Sequence, residues 1–184
     1  MTSDPDIETL SSATVFESKW MRVREDRIRR RDGSTGTYGV VDKADFAVVA
    51  AIQDGHIHMV EQFRYPIGRR VWELPMGGVQ GPTDLTLEQI AHRELREETG
   101  VSAGRMERIG RLHPAYGYSS HAFELFLAND LTAGEPAREA EEQDMISCAM
   151  PLDEMLGMIR DGRLVDGPTV AAMGLLMLHG RLPV

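Results

Sequence analysis

A chain of 184 residues, 42% apolar and 27% charged, can bury one sizeable core and has the balance of a soluble globular domain. Its net charge of −9 argues against a broad basic face for nucleic acid, and no apolar run reaches the ~18 residues of a membrane span. The start, MTSDPDIETLSS, resembles neither a signal nor a transit peptide, so a cytoplasmic location is the default expectation.

In chain order, residues 1–12 read as a flexible tail and 13–45 as short antiparallel strands. WMRVREDRI alternates, and TYGVVD follows the Asp32-Gly33 turn. The basic run RIRRR leads into that turn and reads as a solvated strand end. DFAVVAAIQ and HIHMVEQF flank Asp54-Gly55, a strong hairpin signal, and the first is apolar enough for the middle of a sheet. His56 and His58 share a strand face but have no third ligand in view, so packing or surface roles are expected. MGGVQGPTD reads as a glycine-rich loop, and TLEQ as a capping box with Thr86 as N-cap and Gln89 reaching back. Leu87, Ile90, Ala91 and Leu95 form a helical apolar stripe that Gly100 ends, giving a helix of about 13 residues. Two further strands, RIGRL and AFELFLAND, a charged loop over 133–144, a strand at MISCAM and two C-terminal helices complete a mixed α/β reading. Cys148, the single cysteine, excludes an intrachain disulfide and reads as a buried structural thiol.

The unusual stretch is RELREETGV, residues 93–101. On a helix, Glu94, Glu97 and Glu98 share a face and repel one another at the end where the backbone dipole already disfavours negative charge. Exposed, the arrangement costs of the order of 1 kcal/mol, which Arg93 offsets in part. Glutamates alone would indicate a salt-bridged surface helix. A glycine loop just ahead favours a site for a hard cation and phosphate.

The same residues resemble the Nudix hydrolase signature G-x5-E-x7-R-E-U-x-E-E-x-G-U, where U is bulky and aliphatic. Arg93, Glu94, Leu95, Glu97, Glu98, Gly100 and Val101 match its second half without exception. FRYPIGRRVWELPMG and DEMLGMIRDGRLVDGPTVAAMGLLML resemble the flanking segments of ADP-ribose pyrophosphatase-like members. The first half departs: Gly77 stands two residues too far ahead of Arg93, and Leu85 takes the place of the first glutamate. Asp84, the nearest acid, is expected to take over pairing with Arg93.

The resemblance implies an α/β/α sandwich with a mixed sheet over 46–184, preceded by a small antiparallel β region over 13–45. It implies Mg2+, or Mn2+, held by Glu94, Glu98 and the carbonyl of Met76, with Glu97 a further ligand and Glu97 and Glu98 catalytic. A base or extra ligand would come from Glu139, Glu141, Glu142 or Asp144, with Glu142 favoured. Arg64 would contact the diphosphate or sugar, and Trp20 the base, across a homodimer whose N-terminal strands exchange. For Arg64 the rival reading is a strand-end surface arginine, and for Trp20 core packing. Arg69 and Arg70 are weaker phosphate candidates. In PAYGYSS, between His113 and His121, Pro114 matches the subgroup's turn while Tyr116 replaces its second proline; Tyr116 and Tyr118 are candidates to stack on base or sugar, or pack the loop.

The expected substrate is therefore a nucleoside diphosphate derivative, ADP-ribose first and nucleotide sugars next. A non-catalytic nucleotide sensor is the alternative from a different class, disfavoured by the intact glutamates. Residues 13–45 count against a short triphosphatase, and the acidic composition against work on RNA.

Overall fold

The computed structural model describes residues 6–78, 84–137 and 144–182. Strands β1 (Ile7–Glu17), β2 (Arg22–Arg30) and β3 (Thr35–Asp42) form an antiparallel three-stranded sheet. The Asp32-Gly33 turn joins the last two, with Gly33 at φ 84° and the Ser34 amide donating to Asp32 Oδ1 at 2.9 Å. The basic run is solvated as expected: Arg29 pairs with Glu8 and Arg31 with Asp6, with both arginine side chains at least half exposed.

The start of the N-terminal sheet differs from the sequence expectation. β1 begins at Ile7, well inside the segment read as a tail. All of its residues are exposed, so no buried face imposes an alternating pattern; the ladder to β2 holds it instead.

The second sheet has the order β10 (Ile146–Pro151), β5 (His56–Arg64), β4 (Phe46–Gln53), β9 (Phe123–Thr132) and β8 (Ser102–Leu112). β4 and β9 are parallel; the other pairs are antiparallel. Asp54 and Gly55, at φ 51° and 74°, make the tight turn between β4 and β5. After two ladder pairs those strands splay apart. The edge of β5 is then taken by β6 (Arg69–Glu73), and the start of β4 by β7 (Met76–Gly78). The glycine-rich segment read as a loop therefore begins as a short strand.

β4 is buried on both faces, which accounts for its unbroken apolar run. Ala47, Val49 and Ala51 pack with Ile90, Ala91 and Leu95 of helix α1 (Leu87–Thr99). Val48 and Ala50 belong to the opposite cluster, with Met155 of α2 (Leu152–Arg160) and Met173 and Leu176 of α3 (Gly167–Leu178). The result is a mixed sheet between α1 and the two C-terminal helices. Thr86 and Gln89 form the complete capping box of α1, and Gly100 closes it at φ 78°. None of the described helices is long and apolar enough to cross a membrane.

α3 is fastened to the splayed region by one buried hydroxyl. Thr169 Oγ1 donates to the N-cap Asp166 at 2.7 Å and accepts the Leu74 amide at 2.9 Å. Thr169→Val leaves that amide buried without its acceptor and is expected to destabilise the protein by about 1–3 kcal/mol. Urea denaturation at an unchanged m-value checks this; a change below about 0.5 kcal/mol would exclude the role given to the hydroxyl.

Candidate active site

On α1 the buried positions are Ile90, Ala91, Glu94, Leu95 and Glu98. The apolar stripe thus runs into two carboxylates one turn apart, and Glu98 is only 1% exposed. Nearby backbone and Arg93 accommodate them. Glu98 Oε2 accepts the amide of Met76 at 3.2 Å. Glu94 Oε1 accepts from Arg93 at 2.6 Å, while Arg93 Nε lies 3.4 Å from Glu97. The glutamate carboxylate also fills the space over Gly77, where any Cβ would collide with it. At Gly77, strand β7 thus comes close against the Glu94 carboxylate.

Asp84 does not take the role expected of it: Arg93 pairs with Glu94 and Glu97, its neighbours on the helix, and Asp84 is exposed. Leu85, where the signature has glutamate, offers the arginine no carboxylate.

The oxygen-only, anionic donor set of Glu94, Glu97 and Glu98 fits a hard divalent cation chemically. Among the described residues, no three His, Cys, Asp or Glu groups already converge as a metal cluster. Met76 meets Glu98 through its amide. Glu139, Glu141 and Glu142 lie outside the described residues. Asp144, the fourth candidate of that loop, accepts from Arg70 at 2.9 Å, and Arg70 also binds Glu61 at 3.0 Å. Arg70 therefore ties the sheet edge to Asp144. The other end of the loop is held by Ala137, whose amide donates to the Glu97 carbonyl at 3.0 Å.

Met76, Gly77 and Gly78 form one wall of a cavity of about 710 Å³. Trp20, Arg64 and Tyr118, from three separate parts of the sequence, line the same cavity. Trp20 is 51% exposed, so it is not a core residue, and it enters from the N-terminal sheet of the same chain. Tyr116, 85% exposed, does not line it. The N-terminal sheet is locked to the 113–121 loop by Tyr38 Oη donating to Gly117 O at 3.0 Å and by the Val41 amide donating to Tyr118 O at 2.8 Å.

Further contributors escaped the sequence reading. Glu73, 1% exposed, holds Arg64 through two hydrogen bonds, Nε to Oε2 at 3.1 Å and a terminal nitrogen to Oε1 at 2.5 Å. An acid two residues after Val71 on a strand shares its buried face, and that was the available signal. Asp45 accepts from Arg111 at 2.6 Å and from the Ala122 amide at 2.7 Å, fixing the turn that carries Lys43 into the cavity. Ser119 bonds His121, another lining residue. His56 and His58 take no part: His56 bonds the Asp54 carbonyl, and burial, with His56 nearby, lowers the pKa of His58. Burial raises the pKa of the Cys148 thiol, which suits a packing role.

The NUDIX domain profile matches residues 43–173. The chain belongs to the Nudix family. A profile described as the nucleoside diphosphate sugar hydrolase N-terminal domain matches residues 7–41. ADP-ribose pyrophosphatase of Mycobacterium tuberculosis is 35% identical over 182 residues, covering 96% of this chain and 85% of its own. The Bacillus subtilis protein of that name is 27% identical over 177 residues, covering 95% of each. A crystal structure of an ADP compounds hydrolase superposes with a TM-score of 0.82 at 20% identity, covering 99% of this chain and all of that one, and shows the same fold. As an enzyme, this Nudix protein is a pyrophosphohydrolase.

Burial raises the Glu73 carboxyl above its ordinary value of 4.5, and the Arg64 guanidinium opposes that rise. Ionising Glu73 therefore costs the folded state. Its contribution to stability is full below the unfolded pKa and is lost as pH rises through the higher folded one. Glu73→Gln should gain stability relative to the parent as pH rises from about 4 towards neutrality. Urea denaturation of both proteins across that range measures it, and a difference that moves the other way excludes the assignment.

Proposed function

We propose that this Nudix enzyme hydrolyses the diphosphate bond of a nucleoside diphosphate joined to a second group, with a divalent cation, Mg2+ or Mn2+. ADP-ribose, cleaved to AMP and ribose 5-phosphate, is the substrate we favour. The observation that carries this reading is the buried pair Glu94 and Glu98, placed against the backbone of residues 76–77 where it walls the cavity. Burying two carboxylates one turn apart is costly unless a cation and hydrogen bonds compensate. The relatives named ADP-ribose pyrophosphatase support the choice of substrate. A nucleotide sugar is the second reading, favoured by the description of the N-terminal profile.

A divalent cation, when bound, supplies charge that polarises the phosphoryl oxygens and lowers the pKa of water. Glu94 and Glu98 would hold it, with Glu97 and the Met76 carbonyl as further ligands. Arg64, oriented by Glu73, would meet the diphosphate, with its fork fixed before the substrate arrives. Trp20 and Tyr118 would stack on the base or sugar. The proton taken from the attacking water would pass to Glu142. Glu98→Gln is expected to lower kcat at least about 1,000-fold with an unchanged circular dichroism spectrum. The assay is a panel of ADP-ribose, GDP-mannose and related diphosphates with Mg2+, products separated by chromatography. Near-normal turnover by the variant would remove the helix from the chemistry, and no cleavage by the parent would favour a sensor.

A homodimer through the N-terminal strands belongs to the same proposal. β1 is an edge strand carrying Ile7, Leu10, Val15 and Phe16 on an exposed surface. Edges of this kind invite pairing with a second chain. Light scattering should give twice the chain mass of 20.5 kDa, and a monomeric mass would sink this part.

A further inference from the structure

We propose that His121 reads a sugar hydroxyl next to the diphosphate, accepting its hydrogen bond at Nε2; the inference rests on the nucleoside diphosphate reading above. The hydroxyl of Ser119 donates to the Val41 carbonyl at 2.5 Å, which commits its one proton to β3. The same oxygen lies 2.7 Å from His121 Nδ1, so it accepts there and Nδ1 carries the hydrogen. A neutral imidazole with Nδ1 protonated has its lone pair on Nε2. Ser119 is 5% exposed and bridges to Val41, so the arrangement is part of the joint between the N-terminal sheet and the loop.

His121 lines the cavity beside Lys43, Asp45 and Phe46. Among the described residues, its bonds run to Ser119 and, through its carbonyl, to His113, leaving Nε2 for a ligand. Burial first, then the Lys43 ammonium, disfavour the imidazolium; Asp45 opposes this and His113 adds to it. The ring lies 6.0 Å, centroid to centroid, from Phe46, which pairs with Gly78 across β4 and β7. Gly77, beside it, faces Glu94. His121 and the Met76–Gly78 backbone that packs on Glu94 thus line the same cavity, with Phe46 between them. A lone pair there repels phosphate oxygens, which are acceptors only, and selects an O–H donor. A base amino group shares that chemistry, and changing the base separates the two.

The test compares steady-state kinetics of the parent, His121→Phe and His121→Gln on ADP-ribose. Phenylalanine keeps the packing on Phe46 without an acceptor, and glutamine restores an acceptor oxygen. KM is expected to rise about tenfold in His121→Phe with kcat within about threefold, and to fall most of the way back in His121→Gln. Removing the ribose hydroxyl next to the diphosphate should abolish the difference between parent and His121→Phe; replacing adenine by hypoxanthine should preserve it. A KM within about twofold of the parent, no recovery with glutamine, or a difference that vanishes with hypoxanthine instead would overturn the assignment. If the parent cleaves nothing, thermal shift with ADP-ribose decides separately. A shift lost in His121→Phe supports the subsite while the hydrolase reading falls, and no shift in the parent overturns both.

Discussion

Two carboxylates on the core side of one helix set the terms for the rest of this structure. Glu94 and Glu98 continue the stripe begun by Ile90, Ala91 and Leu95, so the packing that buries the helix buries them as well. The helix C-terminus and their mutual repulsion both raise the cost. The Met76 amide and Arg93 offset part of it. The burial of Ile90 and Leu95 against β4, each worth roughly 1.5–3 kcal/mol, keeps the helix in place despite this. A rigid apolar seat is what allows a patch of concentrated negative charge to persist beside the cavity wall.

That seat depends on β4. Its two-sided burial fixes α1 on one face and the C-terminal helices on the other, and its divergence from β5 creates the gap filled by β6 and β7. Filling the gap brings Glu73 and the Met76–Gly78 backbone within reach of different parts of one cavity. The N-terminal sheet adds Trp20 from the far side, held by β3's bonds to the 113–121 loop. The cavity is thus a junction of three substructures, and none of them encloses it alone.

The elements tied to local chemistry could be read from sequence: the capping box, the Asp54-Gly55 hairpin, the Gly100 stop and the apolar run of β4. Trp20, Arg64 and Tyr118 could be proposed only from likeness to relatives, yet all three line one cavity. Three features were not legible. β1 lacks a buried face and so leaves no pattern. Met76–Gly78 looked like loop because its glycines signal a turn, whereas Gly77 answers to the nearness of Glu94, a tertiary fact. With Leu85 in the signature's acidic position, choosing Glu94 and Glu97 over Asp84 as partners of Arg93 needed coordinates. Glu73 was the most recoverable omission, because strand alternation puts it on the face of Val71.

The chain's acidity now has a local counterpart. A net charge of −9 would repel a free diphosphate at long range. Within the cavity the balance differs. Arg64 is paired with Glu73, and Lys43 has no ion-pair partner among the described residues. Two cationic side chains in the lining and buried carboxylates behind the Met76–Gly78 wall suit a ligand that is anionic but arrives with, or meets, a divalent cation. The cation would satisfy the glutamates while the phosphates satisfy Lys43 and Arg64. On the proposed reading, either component alone would leave part of this charge unmatched, so cation binding and substrate binding would be coupled.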